Sequence, residues 1–538
     1  MRTLFELWTT TDIAVAQVEK AISIAYDYRS DQNLRSEALL FVNQLRTNTG
    51  AWQVCLPLFT KSPPADEPAR VFSLEVVNIA LNSNDVDMPA LNYIKTTLMD
   101  YVRRVYGAEE TRDFPLIQNK LAQTLTELFI ALYPEAWPSF FDEFLLLAGG
   151  SSIGTTNHAG TILYLRVLGS IHDEIADQLI LRTPEEAVRH TELRDAIRTR
   201  DAGKVSVSWQ EILSKWRQTD LSTTEMCLQT ISRWASWIDI SLVANQQTLD
   251  PLLSMAGQPP QELSVKVRDA AIETFTEIAS KKMRAPEKVE LFKFLNLGTV
   301  AGQLIASPPL AQFRNTPEYD ADLAEIVAKL VNNVVRDVVI ILDGGSNDVQ
   351  ARQGANEILQ TFIPFLLRFF GDEYDEVCWT VLTAVGDLLT YFRKLIKSQG
   401  PLPPQYSEML PPILEAIIAK MKYDETASWG SDDDHDTDEA EFQELRRKLN
   451  GLQQVVMAID EQLYMNTLSG VICSTLDRLA SNQSQVDWRE LDLSLHEMYM
   501  FGDLAVKNRG IYQKRQPSSV AAERLIEMVV KMLEARKF

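Results

Sequence analysis

The sequence predicts an all-α protein, a solenoid of antiparallel helix pairs. Three observations carry that reading. Apolar residues recur at helical spacing along nearly the whole chain. Amphipathic stretches of ~15–22 residues end in short Pro, Gly or Asp/Asn breaks, and the next stretch follows at once. Gly and Pro number only 22 and 23 in 538 residues, too few for the many turns of a β-sandwich or barrel.

The elements follow in order from those breaks. They fall near Pro63-Pro64, Asn82–Asp87, Gly107, Pro134, Gly149–Asn157 and Pro184, then near Pro259-Pro260, Pro308-Pro309, Gly344–Asn347, Gly400–Pro404 and Pro517. In 265–281, Val267, Ala271, Phe275 and Ile278 form one apolar stripe. In 323–342, Val327, Val331, Val334, Val338 and Ile341 form another, and Ile326, Leu330 and Val334 a second beside it. A helix apolar over so much of its circumference needs more than one neighbour. The VVIIL run at 338–342 keeps the helical phase until Gly344-Gly345 stops it, so it reads as helix rather than strand. About twenty helices with tight turns pair best antiparallel, and a pair period of ~40–47 residues is that of HEAT and armadillo repeats. No flexible linker divides the chain, so residues 1–538 read as one continuous array.

Charge and cysteines narrow the class. With 52 Lys+Arg and 74 Asp+Glu the net charge is −22. That balance opposes a chain that grips nucleic acid over its whole surface and allows a basic protein partner. Cys55, Cys227, Cys378 and Cys473 are too far apart for zinc or redox motifs. No apolar run approaches the ~18 residues of a membrane span, and the acidic N-terminus does not resemble a secretory signal. These features predict a soluble intracellular protein.

One segment breaks the pattern. From Asp424 to Glu441, nine of eighteen residues are acidic and none is Lys or Arg. Such a stretch cannot bury a face, so it reads as a solvated loop. A helix starts behind it, with Phe442, Leu445, Leu449 and Leu452 in phase. Asp432, Asp434, Asp436 and Asp438 match the first EF-hand positions, but Thr437 replaces the required Gly and Gln443 the bidentate Glu. The loop therefore predicts no calcium site and no other metal site.

The motifs that could carry catalysis fail one by one. Gly150-Ser-Ser152-Ile-Gly154 matches a nucleophile elbow, which needs a strand before the serine. The preceding residues read as a helix end, and Asn157 reads as the next N-cap. His172-Asp173-Glu174 and His496-Glu497 are isolated pairs, and Met500 stands where H-E-x-x-H needs its second His. Arg198 stands where a phosphate loop ending in Gly203-Lys204 needs its first Gly. No catalytic residue is predicted. Four basic clusters remain: Lys281-Lys282-Arg284, Arg393-Lys394-Lys397, Lys420-Lys422 and Arg446-Arg447-Lys448. Each lies near a helix end, where cations either complement the dipole or meet a phosphate backbone.

Three stretches resemble a known family. Ile117-Gln-Asn119-Lys120-Leu-Ala and Tyr133-Pro-Glu-Ala-Trp137-Pro138-Ser-Phe140-Phe141 resemble the N-terminal hallmark of importin-β-type karyopherins. AWQVCLPLF at 51–59 and SWIDISLVAN at 236–245 are similar to exportin-T, the nuclear export receptor for tRNA. So is Tyr423-Asp-Glu with the acidic run and Glu441-Phe-Gln-Glu-Leu-Arg446-Arg-Lys-Leu449. Exportin-T chains continue for many more repeats, so the sequence resembles an N-terminal half.

The resemblance implies a HEAT superhelix that binds tRNA together with Ran in its GTP form. It would carry both through the nuclear pore, shuttle between nucleus and cytoplasm, contact pore proteins and act as a monomer without touching a membrane. It would catalyse nothing and hold no cofactor, since GTP belongs to Ran. Residues 1–150 would be the Ran-binding karyopherin region, with Asn119 and Lys120 in it, and Trp137 and Phe140 as packing residues. The insertion at 424–441 would offer Asp432, Asp433, Asp434, Asp436, Asp438 and Glu439 to a basic patch on Ran. Arg393, Lys394, Lys397, Lys420, Lys422, Arg446, Arg447 and Lys448 are the candidate tRNA contacts. A karyopherin for a protein cargo and a static HEAT scaffold fit the same architecture.

Overall fold

A computed structural model describes residues 11–83, 86–107, 113–149, 157–177, 179–257, 264–344, 348–424, 436–481, 486–506 and 510–535. The side chains of 11–13 and 436–438 lie outside that description. The helices fall into two compact units, 1–281 and 282–538. The first holds α1 (Thr11–Tyr26), α2 (Gln32–Arg46), α3 (Trp52–Thr60), α4 (Glu67–Asn82), α5 (Met88–Tyr106), α6 (Pro115–Leu132), α7 (Phe140–Leu147), α8 (His158–Ile175), α9 (Pro184–Arg200), α10 (Ala202–Trp216), α11 (Leu221–Ala235), α12 (Gln246–Ala256) and α13 (Val265–Ala279). The second holds α14 (Ala285–Phe294), α15 (Leu297–Ile305), α16 (Pro308–Ala311), α17 (Ala321–Asp343), α18 (Val349–Phe370), α19 (Asp375–Gln399), α20 (Pro404–Ser407), α21 (Leu410–Lys420), α22 (Asp436–Ile459), α23 (Glu461–Ser481), α24 (Trp488–Val506) and α25 (Val520–Glu534). The all-α, HEAT-like reading therefore holds.

Polar residues start many of these helices. Asp31, Asp87, Asn157, Asp220, Asp320 and Asp348 each accept from backbone N–H groups of the first turn. Thr183 and Glu186 form a reciprocal capping box on α9. Part of the acidic excess is thus built into helix starts, where the dipole favours it. The VVIIL segment lies inside α17, as its phase required. Near Pro517 the sequence promised only a break. The structure places a two-residue hairpin there, β1 (Tyr512–Gln513) against β2 (Gln516–Pro517). Its turn residues Lys514 and Arg515 sit at φ 51° and 67°, the left-handed region that such a turn requires.

In the first unit α4, α6, α8, α11 and α13 pack side by side in one layer, each covered by the helix before it in a second layer: α3, α5, α7, α10 and α12. The layers meet over aromatic side chains. Phe129 touches Tyr133, Phe140 and Phe141 at ring distances of 4.7, 4.7 and 5.8 Å. Trp137 and Phe140 are each 1% exposed, which makes them core residues. Burying one such ring contributes about 1.5–3 kcal/mol. A buried ion pair reinforces the unit. Arg70 donates to Asp113 Oδ1 at 2.8 Å, while Tyr101 and Tyr106 donate to Asp113 Oδ2 at 2.6 and 2.9 Å.

In the second unit α17, α19 and α22 form one layer. The other runs α14 and α15, α18, α21, α23, α25, and α24 packs on α23 and α25. Arg446 on α22 reaches Asp492 on α24, so those two helices are neighbours as well.

Candidate partner-binding surfaces

The first candidate surface is the solvent edge of the layer α4, α6, α8 and α11. Asn119 is exposed on α6, and its Oδ1 accepts from Arg166 Nη1 of α8. Arg166 Nε also donates to Gln118 Oε1 at 3.0 Å. Lys120 is half-buried and donates to Gln123 Oε1 at 2.9 Å. The same row continues helix to helix. Asn82 donates to Glu127 at 3.5 Å, and Arg233 pairs with Asp173 at 3.3 Å. Burial, then the Glu174 carboxylate, push Glu127 up to about 7. Sequence reasoning missed Arg166, Glu127, Glu174 and Arg233. Their only signal was a polar stripe along helices that are otherwise apolar.

The second is the base of the acidic segment. Asp432, Asp433 and Asp434 lie outside the described residues. Asp436 and Asp438 fall in the first turn of α22, with their side chains outside the description. Glu439 is exposed, and its Oε1 accepts from Tyr423 Oη and Gln443 Nε2, each at 2.8 Å. The Tyr423 ring packs on Phe442 at 4.5 Å and on Trp488 at 5.3 Å, with the Arg446 guanidinium 5.1 Å above it. Burial and then the Glu439 carboxylate push the Tyr423 phenol up to about 12. The residues before and after the acidic run are thus held together.

The basic clusters divide once they are placed. Arg446 is 4% exposed and pairs with Asp492 at 2.6 Å, so its charge is committed to the core. Lys420 donates to the Asp372 carbonyl at 2.6 Å and pairs with Asp375 at 2.7 Å. Neither is presented to a polyanion, which corrects the sequence expectation for both. Lys394 pairs with Asp343 at 2.5 Å, and Lys422 lies 3.9 Å from Glu490. Arg393, Lys397, Arg447 and Lys448 are exposed. Arg447 makes an exposed pair with Glu444 at 3.3 Å, which is worth little.

Many other cations serve the fold in the same way. Arg189 donates to the Ile130 and Tyr133 carbonyls at 3.0 and 2.6 Å, and Arg194 to the Ile175 carbonyl at 2.6 Å. Arg198 donates to the Trp237 carbonyl at 2.7 Å, and Lys281 to the Ile238 carbonyl at 2.6 Å. These carbonyls belong to helix C-terminal turns or the residues just beyond them, where they lack intrahelical partners. Position near a helix end was the visible signal for Arg198 and Lys281, whereas Arg189 and Arg194 stand mid-helix in α9. Which helix end each cation serves was not visible.

The catalytic motifs gain no support from their surroundings. Ser152 lies outside the described residues, but the helix α7 precedes it, where the chemistry needs a strand. Asn157 caps α8, as expected, through Gly160 N at 3.1 Å. His172 Nδ1 accepts from Trp237 Nε1 at 3.2 Å, and burial lowers its pKa to about 4. Lys204 pairs with Asp142 and Asp201 at 2.7 and 3.2 Å. Among the described residues, no three His, Cys, Asp or Glu are placed to hold a metal, and no helix is long and apolar enough to cross a membrane.

Comparison with known proteins assigns this architecture. The chain is 53% identical over 526 residues to an exportin-T of Phaeosphaeria nodorum, covering 97% of this chain and 51% of that protein. It is 52% identical to an exportin-T of Botryotinia fuckeliana and 51% to one of Emericella nidulans, over 97% and 96% of this chain and 50% and 51% of theirs. The chain belongs to the exportin-T family. It spans about half the length of the relatives it matches. The exportin-T family model matches residues 349–537, and the model of exportin 1-like proteins matches 115–275. Within that exportin-T match lie α18 to α25, the acidic segment and three of the four basic clusters. Asn119, Lys120 and the α6–α8–α11 edge lie in the exportin 1-like match.

Proposed function

We propose that this chain is part of a nuclear export receptor that binds tRNA together with Ran-GTP and carries it through the nuclear pore to the cytoplasm. The observation that carries this reading is the 53% identity to an exportin-T across nearly the whole chain. The receptor is a carrier without catalysis of its own, and the nucleotide is held by Ran rather than by this chain. It shuttles between nucleus and cytoplasm as a monomer and meets pore proteins on the way.

The surfaces divide the work. The edge around Asn119 and Lys120 faces the switch regions of Ran, and the acidic run from Asp432 to Glu439 faces a basic patch on Ran. The exposed Arg393, Lys397, Arg447 and Lys448 meet tRNA phosphates. A chain at −22 repels a polyanion at long range, so local cations need help from Ran. Ran-GTP supplies positive surface and favours the tRNA-binding shape of a flexible repeat array. Coupling of this kind is reciprocal, typically about 5–150-fold in affinity.

Titration decides it. Labelled tRNA is added to this chain, and in parallel to a full-length exportin-T relative, with and without GTP-locked Ran at fixed salt. The full-length relative gains at least the typical coupling, and this chain binds Ran-GTP with a smaller one. Equal tRNA affinity in both titrations of the relative would overturn the Ran-gated tRNA carrier. It would leave a protein-cargo karyopherin or a static scaffold.

A further inference from the structure

Four polar side chains lie buried in the core of the last helices. Gln453 of α22, Tyr464 of α23 and Glu497 of α24 are 0% exposed, and Ser494 of α24 is 1% exposed. Gln453 Nε2 donates to Glu497 Oε2 at 2.7 Å. Ser494 stands three residues before Glu497, on the same helix face. The Glu497 carboxylate also raises the Tyr464 phenol pKa, after burial itself. Yet Gln453 Oε1, Tyr464 Oη, Ser494 Oγ and Glu497 Oε1 have no protein partner. Buried polar atoms nearly always find a partner, and a cluster of four without one is unusual.

We propose that Gln453, Tyr464, Ser494 and Glu497 wall an internal chamber whose hydrogen bonds are completed by bound water, and that this chamber ties the packing of α22, α23 and α24 to pH. The donor and acceptor inventory fits water. The amide oxygen only accepts, the two hydroxyls donate or accept, and the carboxyl changes role with its proton. A water molecule with two donors and two acceptors can serve such a set.

Burial, rather than the charges around it, favours the protonated form of Glu497. From α22 come Gln453 and Arg446, and Arg446 is already engaged by Asp492 at 2.6 Å. From α23 comes Tyr464. On α24 itself, Asp503 acts on Tyr464, and His496 turns to Asn450 at 3.4 Å. From α25, Lys531 binds Asp477 and Arg524 binds Asn466, both on α23. Burial outweighs the Gln453 bond and the Arg446 attraction and pushes Glu497 up to about 7. The folded chain then holds a proton that an unfolded one releases above about 4.5. Stability is present below that value and is lost as pH rises through about 7.

Glu497→Gln keeps the shape and removes the titration. Between pH 6 and pH 8 the wild type loses about 2 °C more in melting temperature than the variant. Its infrared spectrum at pH 6 also carries a protonated-carboxyl band that the variant lacks. Glu127→Gln, on the other unit, serves as the control for the other carboxylate raised to about 7. A high-resolution crystal structure shows water bridging at least two of the four oxygens. Parallel melting curves with an unchanged band would overturn the proton link, and a dry chamber would overturn the water site.

Discussion

The Lys281 ammonium donates to the Ile238 carbonyl oxygen at 2.6 Å, across 43 residues of sequence. It also reaches the Ala235 and Ser236 carbonyls at 3.0 and 3.3 Å. The cation closes the C-terminal end of α11 from the far end of α13. In sequence it stands in a basic cluster with Lys282 and Arg284, where a phosphate contact and a helix cap look alike. Lys281→Met leaves those carbonyls without their charged donor and lowers the unfolding free energy by about 1–2 kcal/mol. Urea unfolding reads the loss, and tRNA binding stays at the wild-type value. A fall in tRNA affinity without a fall in stability would reverse the assignment.

The neighbouring residues Arg446, Arg447 and Lys448 separate in the same manner. Arg446→Ala leaves Asp492 without its partner and costs about 3 kcal/mol of stability. Arg447→Ala and Lys448→Ala change stability by less than about 0.5 kcal/mol. Each instead lowers the salt slope of tRNA binding by about one for every phosphate it no longer neutralises. Denaturant melts and binding at two salt concentrations check the three variants together.

The acidic run acts through its field. Changing Asp432, Asp433, Asp434, Asp436 and Asp438 to Asn slows association with Ran-GTP, and the effect is larger at low salt because steering is screened. Stopped-flow rates at two ionic strengths measure it. Wild-type rates at low salt would reduce the run to a solvated loop.

His172 makes acid stability predictable. Its pKa falls to about 4, first through burial and then through Arg233. Trp237 Nε1 donates to its Nδ1, a bond that only the neutral ring accepts. The unfolded chain binds the proton near its ordinary 6.5, before the folded one does. Stability is therefore complete above about 6.5 and falls as pH drops towards 4, by about 2 kcal/mol for this group. His172→Asn removes that share of the acid loss, which unfolding curves at pH 7 and pH 4.5 detect.

The sequence by itself determined the helical architecture, the two-sided burial of α17, the N-cap at Asn157 and the packing roles of Trp137 and Phe140. It also carried enough of the family pattern to point to exportin-T. All of these are local properties. A buried face must recur every three or four residues, a cap must sit beside the turn it closes, and a motif keeps its spacing. The tertiary structure alone decided which charges face outward. Lys420, Arg446 and Lys281 look like Arg393 and Lys448 in sequence, yet the first three meet carbonyls or carboxylates 43 to 48 residues away. Tyr423 and Glu439 close on each other across 16 residues. Gln453 and Glu497 meet in the core across 44. A long cationic or amide side chain carries no local mark of its partner, because that partner is set by how neighbouring helices stack, and stacking is fixed only when every apolar face has been buried at once.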